Sequence, residues 1–501
     1  LFAGPTHGSR LAAVMEDLPD LAQVVLIEPR SDKPLPRPSM TWEALLEMAA
    51  PLEVRRPEVR AWAEARREDE LLTLIYTSGT TADPKGAMLT HGNLAWNVRH
   101  CLSVAAPTLD RRTGDRCLSV LPLCHVFERT GGHFAMWALG VAIYYAESIA
   151  NLAQTMLDVR PQVLMAVPRL YEKLYGRIGD AARGKGLVGR AVFAWANSVC
   201  ARVVPYLFRE RRPPLLVRLP WQLADRLLLG SVRERLGGRL RFAISGGAAL
   251  DSRVLRFFWA MGIPIFEGYG LTETSPVLTL SRAGQVRAGT VGHPLIPEWE
   301  GRPSLKLAPD GEILAFGPHV MKGYWKNPEA TAEMFEPDGY FRTGDVGAMD
   351  RAGRLRITDR KKEILVLSGG KNVAPQPIEN RLKEDRFVEQ VVLVGHRQNY
   401  VAALVVPHFP AVREWAGSHH VEAETDADLA AHPKVVEMLR HRIEKVNKHL
   451  ASFERIRRIA VLDQELTLEG GFLTPSLKIK RREVEAAFRE TIDSLFEATR
   501  I

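Results

Sequence analysis

Between residues 71 and about 345, short apolar runs alternate with helical stretches, and that alternation leaves few folds open to the chain. Cys117-Leu-Ser-Val-Leu121, Val141-Ala-Ile-Tyr-Tyr145, Val163-Leu-Met-Ala-Val167, Phe242-Ala-Ile244 and Ile263-Pro-Ile-Phe266 read as buried strands. Strands separated by helices argue for a largely parallel sheet. The clearest unit is a strand from Arg241 to Ser245, the turn Gly246-Gly247, a helix from Asp251 as N-cap through Ala260, and a second strand at Ile263. Such βαβ units carry ligand sites at their strand ends. After about Gly339 the character changes to short β-like runs, Leu355-Arg-Ile357, Ile364 to Leu367, Val391 to Val394 and Val401 to Val406, with helices around Pro377 to Glu384 and Lys434 to His449. The expected fold is α/β: a large N-terminal domain of mainly parallel sheets and flanking helices, residues 1–360, plus a small α+β C-terminal domain, residues 361–501.

The densest chemical signal is Tyr76-Thr-Ser-Gly-Thr-Thr-Ala-Asp-Pro-Lys-Gly86, which follows the apolar strand Leu71 to Ile75. Thr90 is placed to cap a helix starting near His91, so the loop is expected between strand and helix. Glycines let the backbone approach an anion, hydroxyls and amides donate to phosphate oxygens, and Lys85 neutralises charge. It is not a Walker A loop, because Pro84 precedes the lysine and Gly86 follows it. A second signal is Glu267-Gly-Tyr-Gly-Leu-Thr-Glu-Thr-Ser-Pro276, where small residues admit a planar ring and Glu273 offers a carboxylate of the kind that holds Mg2+ beside phosphates. Three more follow: Tyr340 to Asp345, Asp359-Arg-Lys-Lys-Glu-Ile364 with Ser368-Gly-Gly-Lys371, and Leu473-Thr-Pro-Ser-Leu-Lys-Ile-Lys-Arg481. Each alone suits a turn or charged surface; in this order they are specific.

Composition narrows the class. The 501 residues are 46% apolar and 25% charged, as in soluble globular proteins, and no apolar run approaches the ~20 residues of a membrane span. The four cysteines show neither metal-type pairing nor a disulfide framework, which fits a reducing cytoplasm. His91, His100 and His133 have no metal-binding pattern. The chain begins at Leu1 and enters at once into a helix and strand, so an N-terminal portion is expected to precede it. The net charge of +8 concentrates between Arg177 and Arg241, where the acids are only Asp180, Glu210, Asp225 and Glu234 and large apolar residues are interleaved. A solvated helical face and a surface resting on anionic lipid both fit. No zinc-finger spacing or aromatic RNA-binding motif supports nucleic acid.

Taken together the motifs resemble the adenylate-forming superfamily of acyl-CoA synthetases, luciferases and adenylation domains, over nearly the whole chain from residue 71. Asp338 to Lys362 is similar to the signature stretch of fatty acyl-CoA synthetases, and Val167-Pro-Arg-Leu-Tyr-Glu-Lys-Leu-Tyr175 with the basic helical insertion after it is similar to the long-chain branch. Gly289 to Pro294 and Gly323 to Thr331 fit as well. The resemblance implies ATP-dependent activation of a long-chain fatty acid to an acyl-adenylate with release of pyrophosphate, then acyl transfer to coenzyme A. Its implied partners are fatty acid, ATP and coenzyme A, with Mg2+; it allows peripheral contact with the inner face of the membrane and a homodimer.

The resemblance also implies roles. Thr77, Ser78, Gly79, Thr80, Thr81 and Lys85 would hold the ATP phosphates. Gly247, Ala248, Tyr269 and Gly270 would border the adenine, Thr272 the α-phosphate, and Glu273 would hold Mg2+. Asp345 and Arg360 would bind the ribose hydroxyls. Lys478 would bridge the acyl carboxylate and the α-phosphate, Lys362 would be the hinge of the small domain, and His125 would lie beside the carboxylate. Apolar residues at His133 to Trp137 and Phe257 to Trp259 are candidates for an acyl tunnel, although any core shows the same composition. Two alternatives stay open. A fatty acyl-AMP ligase would hand the adenylate to a carrier protein, but the Gly289 to Asp345 spacing is short for its extra insertion. A non-catalytic membrane-surface relative is disfavoured by the intact Lys85, Glu273, Asp345, Arg360 and Lys478.

Overall fold

A computed structural model describes residues 1–4, 7–28, 35, 38–48, 52–77, 84–105, 114–148, 151–361, 363–474 and 477–497. The chain divides into two compact units, Leu1–Arg67 and Glu68–Ile501. In the first, strands Phe2–Ala3, Val24–Leu26 and Ser39–Thr41 pair in parallel and bury Ala3, Met15, Val24 and Leu26. Thr41 caps the helix Trp42–Glu47 by accepting the Ala44 N–H at 3.2 Å.

The second unit is built on a seven-stranded sheet in the order His293–Pro294, Val277–Leu280, Ile265–Gly270, Phe242–Gly246, Val163–Ala166, Arg116–Ser119, Ala142–Tyr145. The last five are mutually parallel and the first two antiparallel. The parallel part follows from its crossovers, of which the clearest is the helix Ser252–Ala260. Asp251 starts that helix by accepting the Arg253 N–H at 2.7 Å, and Val254, Leu255, Phe257, Phe258 and Trp259 bury against the sheet. Phe257 to Trp259 are thereby core residues.

The helix Gly186–Leu207 is long and apolar enough to cross a membrane by length and composition, a property the sequence reading did not find. It buries Ala196, Val199, Cys200, Val203 and Val204 in the same core, as a packed helix of this unit does. Glu298–Trp299 and Arg302–Pro303, a stretch without functional meaning in the sequence, form a two-stranded hairpin. Its Arg302 guanidinium lies 4.0 Å from the Phe316 ring and 4.7 Å from that of Tyr340.

The phosphate-loop candidate departs from expectation. It joins two antiparallel strands, Leu71–Thr77 and Lys85–Thr90, paired from Thr77 opposite Lys85 to Leu71 opposite Thr90. Pairing with the first strand fixes the second, which buries Gly86, Ala87, Leu89 and Thr90 where the residues after Gly86 had suggested a direct run into the helix. The helix His91–Ala105 then begins at the expected cap, with Thr90 Oγ1 accepting the Asn93 N–H at 3.1 Å and Asn93 Oδ1 accepting the Thr90 N–H at 2.8 Å. A four-stranded antiparallel sheet follows, Leu305–Leu307, Glu312–Ala315, Phe341–Met349 and Leu355–Arg360. Beyond it, Val388–Val394 and Val401–Pro407 pair antiparallel, and Ile456–Val461 adds in parallel. The helices Pro375–Leu382 and Pro433–Asn447 contribute Ile378, Leu382, Val435, Leu439 and Ile443 to the core beside that sheet.

Candidate active site

Strand ends and turns from across the second unit converge on one open cleft of about 2850 Å³. Thr77, Lys85, His125, Gly247, Ala248, Tyr269, Gly270, Thr272, Glu273, Asp345, Arg360 and Lys478 all line it. Ser78, Gly79, Thr80, Thr81 and Lys362 lie outside the described residues.

Two glycines shape the wall where the nucleotide is expected. Gly247 ends the strand Phe242–Gly246 with φ +90°, a conformation that favours glycine. A Cβ on Gly270 would collide with the Pro276 carbonyl, so only glycine lets the two chains approach there. Thr272–Thr274 then forms a single tight turn, held by the Met321 N–H donating to the Glu273 carbonyl at 2.8 Å.

Asp345 is buried at the middle of its strand. Tyr269 donates to its Oδ2 at 2.8 Å and Arg360 Nε reaches Oδ1 at 2.9 Å. Each carboxylate oxygen keeps a lone pair, so the group still accepts from a vicinal diol. Burial and the Asp345 charge hold the Tyr269 phenol well above its ordinary pKa, which keeps it a donor. Tyr324, to which the sequence reading assigned no role, donates to Glu273 Oε1 at 2.8 Å. The Lys85 ammonium lies 5.3 Å from the centre of the same ring. Tyr324 therefore links the phosphate-loop lysine to the candidate metal carboxylate.

Lys478 enters from the C-terminal part of the chain. Its loop is closed by the Thr474 N–H donating to the Lys478 carbonyl at 2.8 Å and by the Lys478 N–H donating to Thr474 Oγ1 at 3.1 Å. The side chain reaches Gly247, where an added Cβ would stand 3.7 Å from Lys478 Cε. Burial and the Arg360 charge lower its pKa to about 8, against the opposing pull of Asp345, Glu363 and Glu273. His125 is lowered to about 4, first by burial and then by Lys478. The Phe127 N–H donates to His125 Nδ1 at 3.3 Å, so in the neutral ring the proton sits on Nε2, which is free to donate.

The expected acyl-tunnel residues divide. Ala135 and Met136 line the cleft, whereas Phe257 to Trp259 pack in the core. The cleft side is furnished instead by Phe127, Gly131, Met165, Tyr175 and Phe193. They escaped sequence reading because only the fold brings them to one wall.

A half-buried lysine, a buried carboxylate held by Tyr269 and Arg360, and Lys85 beside Tyr324 line one cleft whose chemistry suits a nucleotide, and the family comparison agrees. The model of the AMP-binding enzyme family matches residues 8–325, and that of the AMP-binding enzyme C-terminal domain matches residues 362–500. The chain belongs to the AMP-binding enzyme family. Similar relatives of this AMP-binding enzyme include the long-chain-fatty-acid–CoA ligase FadD15 of Mycobacterium bovis, 35% identical over 98% of this chain and 78% of the relative. The peroxisomal long chain acyl-CoA synthetase 7 of Arabidopsis thaliana is 32% identical over 99% of this chain and 71% of its own length. The long-chain-fatty-acid–CoA ligase 5 of Mus musculus is 32% identical over 96% and 70%. Among solved structures, the adenylation domain of a carboxylate reductase from Mycobacterium chelonae superposes with a TM-score of 0.67 at 21% identity, covering 99% of this chain and 72% of that one. An anthranilate CoA ligase holding anthranoyl-AMP gives 0.66 at 18%, over 98% and 79%. At these identities the structures speak for the adenylate-forming fold of the AMP-binding enzyme.

Proposed function

We propose that this AMP-binding enzyme is a long-chain-fatty-acid–CoA ligase that forms an acyl-adenylate from ATP and then passes the acyl group to coenzyme A. The observation that carries the proposal is the half-buried Lys478 ammonium, set among His125, Arg360, Asp345 and Glu273 at one cleft. A fatty carboxylate is a weak nucleophile approaching a polyanion, so the first step needs charge neutralisation and alignment more than a strong base. Lys478 bridges the carboxylate and an α-phosphate oxygen, and neutral His125 donates from Nε2 to the carboxylate. Asp345 and Arg360 hold the ribose, Tyr269 and Gly270 border the base, and Thr77, Lys85 and Thr272 steady the phosphates. A carboxylate oxygen bonds to the α-phosphorus as the bond to pyrophosphate breaks. The thiol of coenzyme A then bonds to the acyl carbon, its proton is lost, and AMP leaves.

Glu273 is a single carboxylate facing the same space as Lys85, and that donor fits Mg2+, which takes one or two protein carboxylates plus phosphate oxygens. The ion, when bound, supplies further charge neutralisation at the phosphates. The two half-reactions want different surroundings at one carbonyl, which supports a small domain after residue 360 that turns about Lys362 and withdraws Lys478 for the second step. The proposal places the enzyme in the cytoplasm at the inner face of the membrane; the four free cysteines suit that reducing compartment.

Pyrophosphate release measured with fatty acids of graded length, with and without coenzyme A, tests this reading. Release that rises with chain length and yields a thioester when coenzyme A is present is expected. Release without thioester would move the acceptor to a carrier protein, and no release from a folded sample would overturn the ligase reading.

A further inference from the structure

The helix Leu215–Ala224 and the wider turn Asp225–Leu229 that continues it are apolar on two faces. Val217, Trp221, Ala224 and Leu228 pack on the core, and the Trp221 ring N–H donates to the Ala260 carbonyl at 2.8 Å. That face needs nothing more. The other face carries Leu215, Leu219, Leu223 and Leu227 at four-residue spacing, with Leu216 beside them. Leu216 is 89% exposed, Leu215 67%, and the remaining three about half or more. Five large leucines in one open stripe exceed the scattered exposure of an ordinary surface.

Arginines frame the stripe. Arg209, Arg211 and Arg212 lead into the helix, and Arg218 and Arg226 stand on it, all exposed. Among the described residues none of the five makes an ion pair or a side-chain hydrogen bond. Between residues 209 and 227 the only acids are Glu210 and Asp225, and Asp225 is occupied by Arg233 at 2.9 Å. A second copy of the same stripe would bring these cations face to face. An anionic surface would not.

We propose that this face is a membrane-docking surface, lying in the plane of an anionic bilayer with Leu215, Leu216, Leu219, Leu223 and Leu227 in the acyl boundary and the arginines on the headgroups. The helical run Leu215–Arg235 carries Arg218, Asp225, Arg226, Arg233, Glu234 and Arg235 and packs one face on the core, so it lies in the interface and does not cross the bilayer. Headgroup attraction is worth most close to the surface and is screened by salt. The inference deepens the ligase reading, which supplies its biological sense because long-chain fatty acids reside in bilayers. Docking is measured without ATP or acyl substrate, however, so either idea can fail alone.

The test is co-sedimentation of the whole chain with vesicles of phosphatidylcholine alone, or with roughly one-third phosphatidylglycerol. Binding to the anionic vesicles that is released by salt is expected. The variant L216E/L219E should bind about tenfold more weakly or less, and R211Q/R212Q/R218Q should lose the preference for anionic vesicles. Both should keep wild-type melting behaviour and pyrophosphate release with a soluble medium-chain acid, since these side chains face solvent. Absence of wild-type binding, or unchanged binding in either variant, would overturn the proposal. So would a wild-type dimer in analytical ultracentrifugation that L216E/L219E converts to monomer, because the stripe would then be covered by a second copy. Should the leucine variant fail to fold, the arginine variant carries the test alone.

Discussion

In the proposed adenylation step Lys478 acts as a cation, yet burial and Arg360 bring its pKa down to about 8. The ammonium is present below that value and is lost as pH rises through it. kcat/KM for adenylation should therefore fall above about pH 8, approaching about tenfold per further unit. His125, lowered to about 4, stays neutral through the same range and adds no limb between pH 5 and 7. Lys478→Ala should cost on the order of 10²–10³-fold in adenylation while largely sparing thioester formation from supplied acyl-adenylate. Lys478→Arg, whose charge does not titrate, should show a low rate without the alkaline limb. Equal loss in both half-reactions, or an alkaline limb that survives the arginine, would remove Lys478 from the role. At this scale the sequence singled out Lys478, Glu273 and Asp345 because each sits in a dense local motif, and the fold brings the three to one cleft. Tyr324 was not singled out, because its meaning lies in Glu273, 51 residues upstream, and in Lys85 beyond that.

Helices and strands were legible where burial imposes a period. The five parallel strands and the Asp251 and Thr90 caps stand where the residues placed them, to within a few positions. The Lys85–Thr90 strand was missed because Gly86, Ala87, Leu89 and Thr90 are all buried and leave no period of two to read, and its pairing with Leu71–Thr77 is what fixes it. Ion pairs between distant elements leave no local trace at all. Arg169, near the start of the helix Pro168–Arg183, meets Glu465 at 2.6 Å and Glu389 at 3.8 Å, partners 296 and 220 residues downstream. Arg190 likewise pairs with Glu414. These contacts tie helices of the large sheet to the segment that carries Lys478, in the arrangement in which Lys478 lines the cleft. Arg169→Glu should disfavour that arrangement by about 1 kcal/mol, the scale of a partly exposed pair, and so slow adenylation roughly fivefold. Thioester formation from supplied acyl-adenylate should be unaffected. Restoration of the adenylation rate by Glu465→Arg in the same chain would separate positioning from a general loss of fold, and failure of that exchange would count against the pair.

On the scale of the whole second unit, the apolar clusters divide cleanly around the cleft. Those on the large-sheet side draw on residues 72 to 357, and those beside the Val388–Val394 sheet draw on residues 365 to 496. Among the described residues no cluster takes members from both. What crosses between them is charge, including Arg169 with Glu465 and Arg190 with Glu414. Polar seams of this kind leave neighbouring cores free to shift, whereas a shared apolar core would weld them. The sequence announced two characters of chain near this point but could not show that the seam between them is ionic. On the proposed reading a bound acyl-adenylate would touch both sides, since Lys478 and Gly247 line the same cleft, and it should couple the two cores. At a hundredfold excess over its Kd, a non-hydrolysable analogue contributes about 2.7 kcal/mol to whatever binds it. Hydrogen exchange followed by mass spectrometry reads each core separately. Without ligand the strands Val388–Val394 and Val401–Pro407 should open at a lower free energy than Phe242–Gly246 and Ile265–Gly270; with the analogue the two sets should gain protection together. Protection gained by the large sheet alone, with the later strands exchanging as before, would mean that the C-terminal core takes no part in holding the adenylate.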